Sequence, residues 1–243
     1  MIFMNKKILE VQNITKNFGG LVANDNINIH LYQGEILGLI GANGAGKTTL
    51  FNIIAGTFPP SKGSILYEGK NIENKQSQQI CKLGIARTYQ IVKPFGNLTV
   101  QENVMVGAFL NNSDVSEVKE KAEEIINFVG LSDKIKTPGS DLNLPQLKRL
   151  EVARALATNP KILLLDEVMA GLNPSENKNV VNLVLKIRDN GVSIILIEHV
   201  MKAVMSLSDR IYTLNQGKLI AEGTPEEIVN NPAVQASYLG EKK

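Results

Sequence analysis

Gly41-Ala42-Asn43-Gly44-Ala45-Gly46-Lys47-Thr48 follows the spacing G-x-x-x-x-G-K-[ST] of a phosphate-binding loop. The apolar run Glu35-Ile36-Leu37-Gly38-Leu39-Ile40 before it reads as a buried strand. After it, residues 48–55 read as a helix, with Leu50, Ile53 and Ile54 on one face. Strand, glycine-rich turn and helix in that order supply the context the motif needs. Glycines let the backbone turn its N–H groups inward, and the helix N-terminus adds the positive end of a dipole. Gly41, Asn43, Gly44, Ala45 and Gly46 supply the cradle. Lys47 is expected to reach the β- and γ-phosphates of a nucleotide, Thr49 to take part in binding the nucleotide, and the Thr48 hydroxyl to ligate Mg²⁺.

Working outward, residues 8–13 alternate like a strand, Gly19-Gly20 breaks the chain, and Ile27, Ile29 and Leu31 alternate again. Residues 62–69 read as a third such strand. Together these suggest an antiparallel sheet beside a parallel one. Residues 85–90 read as a strand ending in Gln90. From Thr99 the pattern turns helical, with Val115, Val118, Ala122, Ile125 and Val129 on one face and Glu117, Lys121 and Glu124 opposite. Residues 93–150 therefore read as a mostly helical insertion, and a further helix covers 148–158. Residues 161–167 form a buried strand ending in two acids. Asn173-Pro174-Ser175-Glu176 carries an N-cap, a proline at the first helical position and a returning acid. Residues 192–197 form the next strand, closing on Glu198-His199. Strands alternating with helices predict a parallel α/β sheet.

The whole chain of 243 residues is 43% hydrophobic with a formal charge of +2. The near-balance argues against a surface dominated by nucleic-acid phosphate contacts. Cys81 alone can form neither an intramolecular disulfide nor a cysteine metal site, which fits a cytosolic compartment. Met1 to Lys7 has no long apolar stretch, so no signal peptide is expected, and no run approaches ~20 apolar residues, so no membrane span is expected.

Ligands of parallel α/β sheets sit at the carboxyl ends of the strands. Here the P-loop, Gln90, Asp166-Glu167 and His199 all follow strand ends. Asp166, after four consecutive aliphatics, has the place of a carboxylate that orients Mg²⁺ through water. Glu167, one residue on, is placed to polarise an attacking water. His199 is a candidate donor to a γ-phosphate. Gln90 is a candidate contact for Mg²⁺ or the water. Phe18 reads either as core filling or as a face on which adenine stacks.

This set resembles the ATP-binding subunits of ABC transporters over nearly the whole chain. Phe18 matches the adenine-stacking aromatic, Gly41 to Thr48 Walker A, Gln90 the Q-loop, and Asp166-Glu167 Walker B with its catalytic glutamate. Ala170-Gly171-Leu172-Asn173 matches the D-loop region, and His199 the switch histidine. Four stretches are similar to the branched-chain amino acid importer ATPases (LivG-like): residues 18–23, residues 98–104, Ala170-Gly171-Leu172-Asn173-Pro174, and the tail Tyr238-Leu239-Gly240-Glu241.

The resemblance implies a P-loop NTPase fold with a RecA-like parallel core (1–92 and 151–243), an antiparallel β subdomain and a helical subdomain at 93–150. It implies ATP and Mg²⁺ as ligands. It implies a pair of ATPase subunits, of different or identical chains, at the cytoplasmic face of the membrane below two membrane-spanning permease subunits. A solute-binding protein delivers a hydrophobic amino acid, and no nucleic acid is expected. Each ATP then lies between one P-loop and the opposite chain's signature sequence. Here that signature reads Leu142-Asn143-Leu144-Pro145-Gln146, where the family pattern is L-S-G-G-Q. Asn143 and Gln146 remain the aligned nucleotide contacts, and Asn143 is expected to cap a helix with Gln146 returning. Lipid or lipopolysaccharide export ATPases share most of these motifs. Soluble ABC ATPases of ribosomes or DNA usually add a second ATPase domain or a long coiled coil. A P-loop kinase would need an acceptor site.

Overall fold

Two sheets divide the strands, and their different connections follow from their different burial. The computed structural model describes residues 6–90 and 92–239; Met1 to Asn5 and the tail residues Gly240 and Glu241 lie outside them. In the first sheet, β1 (Lys7–Phe18) and β2 (Leu21–Tyr32) form a hairpin about Gly19-Gly20. The chain then enters β3 (Ile36–Ile40), the P-loop and α1 (Lys47–Ile54). It returns to the first sheet with β4 (Lys62–Tyr67) and β5 (Lys70–Asn71), giving the order β2-β1-β4-β5, antiparallel throughout. The first two strands run to 12 residues each, longer than the short strands the alternation suggested. Their register shifts repeatedly, and these irregularities hide the period-2 pattern while leaving the pairing intact.

The second sheet follows α2 (Ser77–Leu83) with β6 (Ile85–Arg87). Three helices come next: α3 (Val100–Ala108), α4 (Val115–Phe128) and α5 (Leu144–Ala157). Then β7 (Ile162–Asp166), α6 (Pro174–Asp189), β8 (Ser193–Ile197) and α7 (Met201–Leu207) alternate. The chain finishes with β9 (Arg210–Asn215), β10 (Lys218–Gly223), α8 (Pro225–Val229) and α9 (Pro232–Leu239). The order is β10-β9-β3-β8-β7-β6, parallel except for β10. This is the α/β core that alternating strands and helices predict.

Both faces of that sheet are covered, so its central strands are buried at every position. The two faces feed different cores. Leu163 and Leu165 pack with α3 to α6, whereas Ile162 and Leu164 pack with α1 and the antiparallel sheet. Each such side chain contributes about 1.5–3 kcal/mol of burial. On α1, Leu50, Ile53 and Ile54 are buried as their spacing predicts, and Phe51 joins them.

Three expectations need correction. The strand expected to end at Gln90 stops at Arg87. Thr88 still donates its N–H to Leu164, but the Tyr89 N–H is taken by the Glu151 carboxylate of α5, which pulls the chain off the sheet edge. The helix read over 148–158 begins at Leu144, where the capping box expected at Asn143 and Gln146 is complete. Val115, expected on the apolar face, is exposed: it is the first residue of α4, before the helix packs, while Val118, Ala122, Ile125 and Val129 are buried.

Candidate functional site

The P-loop wraps the N-terminus of α1, and two glycines show why other residues do not fit. Gly41 has φ +149, and a Cβ there would lie 2.1 Å from the Leu214 carbonyl. Gly46 has φ +101, and a Cβ would lie 2.4 Å from the Ala23 carbonyl. The fully buried Asn24 of β2 holds this turn from outside, donating to the Gly46 carbonyl at 3.1 Å. Lys47 is buried and folds back across the loop, donating to the carbonyls of Gly41 (2.6 Å) and Ala42 (2.9 Å).

Above the loop lies a cleft of about 670 Å³, a size suited to a nucleotide. Phe18, Asn43 to Thr49, Gln90, Glu167 and His199 all line it, together with Leu21, Val22, Ala23, Gln216 and Gly217. Phe18 is 46% exposed and stands edge-on to Phe58 with centroids 5.4 Å apart. Lys16 Nζ sits over the same ring at 5.2 Å. The ring is therefore not core filling.

Opposite the P-loop, the segments that follow β6, β7 and β8 bring their polar residues together. Glu167 follows β7 with φ +51, a left-handed backbone that a non-glycine residue rarely adopts. Its N–H donates to the Ile197 carbonyl of β8. Its carboxylate is held on both oxygens: Gln90 Nε2 donates to Oε2 at 2.6 Å, and His199 Nε2 lies 2.8 Å from Oε1. Asp166 lines the adjoining cavity with Thr48 and Gln90. Its Oδ2 accepts from Arg87 at 2.7 Å, while the buried Oδ1 has no partner among the described residues. A hydroxyl, an unpartnered carboxylate oxygen and an amide at one cavity fit a hard cation that keeps most of its ligands as water and phosphate. Among the described residues no cluster of three His, Cys, Asp or Glu could hold a metal by itself.

Asn143 and Gln146 do not join this cleft. They bond to each other, Asn143 Oδ1 accepting from the Gln146 N–H (3.1 Å) and Gln146 Oε1 from the Asn143 N–H (3.0 Å).

Four residues at the site escape the sequence reading. Arg87 bonds both Asp166 and Asn52, the latter at 2.5 Å. Its signal is an arginine in the apolar stretch 85–88. Glu198, 3% exposed, accepts from the Met169 N–H at 2.8 Å, linking the His199 loop to the chain after Glu167. Burial pushes its carboxyl up to about 7, against backbone N–H groups of Met169 and His199 that favour the anion. Its signal is an acid directly after an apolar strand. Lys148 and Glu151 face the site from α5, with only their i, i+3 spacing to mark them.

A family model described as ABC transporter matches residues 24–170, and one described as branched-chain amino acid ATP-binding cassette transporter matches residues 218–243. LivG of Escherichia coli (strain K12), a high-affinity branched-chain amino acid transport ATP-binding protein, is 42% identical, spanning 98% of this chain and 100% of its own length. A probable branched-chain amino acid transport ATP-binding protein of Archaeoglobus fulgidus is 38% identical, spanning 96% of each. The crystal structure of a nucleotide-free ATP-binding cassette from an ABC transporter superposes with a TM-score of 0.89 at 32% identity, covering 97% of this chain and 100% of that one. The chain belongs to the ATP-binding proteins of the ABC transporter family, in the branch of LivG-like branched-chain amino acid transport proteins.

Proposed function

We propose that this chain hydrolyses ATP to drive uptake of branched-chain or other hydrophobic amino acids. The observation that carries the proposal is the Glu167 carboxylate, gripped by Gln90 and His199 at the mouth of the P-loop cleft. Phosphoryl transfer to water needs a positioned nucleophile and neutralised charge more than covalent help. Glu167 orients the water and accepts its proton. Lys47 and the loop N–H groups hold the phosphates, His199 donates toward the γ-phosphate, and Phe18 carries the adenine. Thr48, Asp166 and Gln90 would hold Mg²⁺, which would supply charge neutralisation at the phosphates.

The chain works with a second ATPase subunit, two membrane-spanning permeases and a solute-binding protein, at the cytoplasmic face of the membrane. Among the described residues no helix is long and apolar enough to cross a membrane, which supports transport through separate subunits. Residues 93–150 act as the helical subdomain against the rest, and the loop from Gln90 to Gly96 docks on the permease. Reconstitution with the permeases in vesicles tests the whole reading. ATP hydrolysis stimulated by a loaded solute-binding protein, with uptake of labelled leucine, is the expected result. Hydrolysis stimulated by ribosomes or DNA in place of the permeases would overturn it.

A further inference from the structure

Among the described residues, one side chain hydrogen-bonds the backbone of both Gln90 and Glu167: Lys148. It lies on the first turns of α5 and is 3% exposed. Its Nζ donates to the Gln90 carbonyl at 3.2 Å and to the Glu167 carbonyl at 3.0 Å. Among the described residues it makes no close salt bridge, although its charge favours the anionic form of the Glu151 and Glu198 carboxylates. A buried ammonium carries a desolvation cost that a neutral side chain of similar length would avoid. Packing alone therefore does not account for a lysine here.

What the charge does instead is visible in its two acceptors. Glu167 has a left-handed backbone at φ +51, so its carbonyl is turned away from the path of a continuing strand. Lys148 meets that carbonyl. One turn along α5, Glu151 takes the Tyr89 N–H. The helix thus holds the Tyr89-Gln90 segment from both ends, by its N–H through a carboxylate and by its carbonyl through an ammonium. The side chains of the two residues held by Lys148 then meet each other at 2.6 Å.

We propose that Lys148 is a positioning residue for ATP hydrolysis, fixing the backbones of Gln90 and Glu167 so that their side chains meet over the cleft. This rests on the reading of Glu167 as the residue that orients water. It makes α5, the helix that starts at Asn143, a lever on the geometry of the site. Among the described residues Lys148 makes no hydrogen bond to the P-loop and does not line its cleft, so its loss leaves ATP binding in place. A small displacement of a group that must meet the reacting atoms costs on the order of a hundredfold in rate.

The test uses Lys148→Met, which keeps stem length, and Lys148→Arg, which keeps charge and donors, in the assembled transporter. For Lys148→Met the expected result is ATP affinity within about threefold of wild type and kcat lower by roughly 10- to 100-fold. Lys148→Arg recovers most of the kcat. If Lys148→Met does not fold, Lys148→Gln, which keeps amide donors on a shorter stem, is read by the same two quantities. Unchanged kcat in the methionine variant, or parallel loss of affinity and kcat in the methionine and arginine variants alike, would overturn the proposal. Glu167→Gln separates the two readings. If it abolishes turnover while Lys148→Met does not, Lys148 is not a positioning residue. If Glu167→Gln turns over like wild type, the reading of Glu167 fails first.

Discussion

His199 Nε2 and Glu167 Oε1 lie 2.8 Å apart, joining the ends of the neighbouring parallel strands β8 and β7. β7 and β8 are in register up to Asp166 and Ile197, which brings the segments just beyond them, Glu167 one residue on and His199 two, to the same edge of the sheet. Glu167→Gln is expected to keep ATP binding and lower turnover by at least about a hundredfold, the usual contribution of a general base. His199→Ala is expected to reduce turnover as well, and the double variant by little more than Glu167→Gln alone, since coupled groups are not additive. Equilibrium nucleotide binding and steady-state hydrolysis in the assembled transporter read both quantities. Wild-type turnover by Glu167→Gln in both ATPase subunits would remove Glu167 from its assigned role.

Glu198 makes stability depend on pH. Its folded carboxyl titrates near about 7, against an ordinary value of 4.5. The folded state therefore holds a proton that the unfolded chain has lost, and stability falls as pH rises from about 4.5 through about 7. Glu198→Gln keeps an acceptor for the Met169 N–H and has no proton to lose. At pH 8 the variant is expected to be more stable than wild type by up to about 3 kcal/mol, with the gap closing below pH 5. Urea melts across that range measure it, and parallel curves for the two proteins would contradict the assignment.

Arg87 and Asp166 form an ion pair at 2.7 Å in which both side chains are more than nine-tenths buried. Removing one partner leaves an unpaired buried charge, so Arg87→Met is expected to destabilise the fold by about 3–5 kcal/mol. Adding Asp166→Asn should restore part of that loss. Chemical denaturation of wild type and the two variants decides, and equal stability of wild type and Arg87→Met would show the pair to be dispensable.

The altered signature has few N–H groups to offer a phosphate. At the start of α5, the Gln146 N–H is taken by Asn143 Oδ1, the Leu147 N–H by the Asn143 carbonyl, and Pro145 has none. Leu144 also leans on Gly171, where an added Cβ would lie 2.9 Å from Leu144 Cδ2. We propose an asymmetric pair with a different ATPase chain. The site made by this chain's P-loop is then the faster, and the site facing Asn143 to Gln146 slower by on the order of a hundredfold, as when a charge-stabilising donor is lost. Asn143→Ser with Leu144→Gly and Pro145→Gly is expected to speed the slow site. Single-turnover hydrolysis with one P-loop lysine disabled at a time is the measurement. Equal rates from the two sites, or a fully active homodimer, would refute the asymmetry.

Local chemistry made much of this protein readable before any coordinates. The P-loop is an eight-residue backbone conformation that needs its own glycines, and the caps at Asn143 and Asn173 are hydrogen bonds within three residues. The alternation of strands and helices was enough to name a parallel α/β core and to put Asp166, Glu167 and His199 at strand ends. Those features depend on neighbours in sequence, so sequence carries them.

The tertiary structure decided the rest. Gln90 reaches Glu167 only because Glu151 and Lys148, 61 and 58 residues away in the chain, draw its loop off the sheet. Val115 is exposed because it is the first residue of α4, before the helix packs at Val118, which helical spacing does not record. Arg87 reads as an odd charge in an apolar strand until parallel pairing sets it beside Asp166. In each case the determining partner is distant in sequence, and its identity follows from packing rather than from any local pattern.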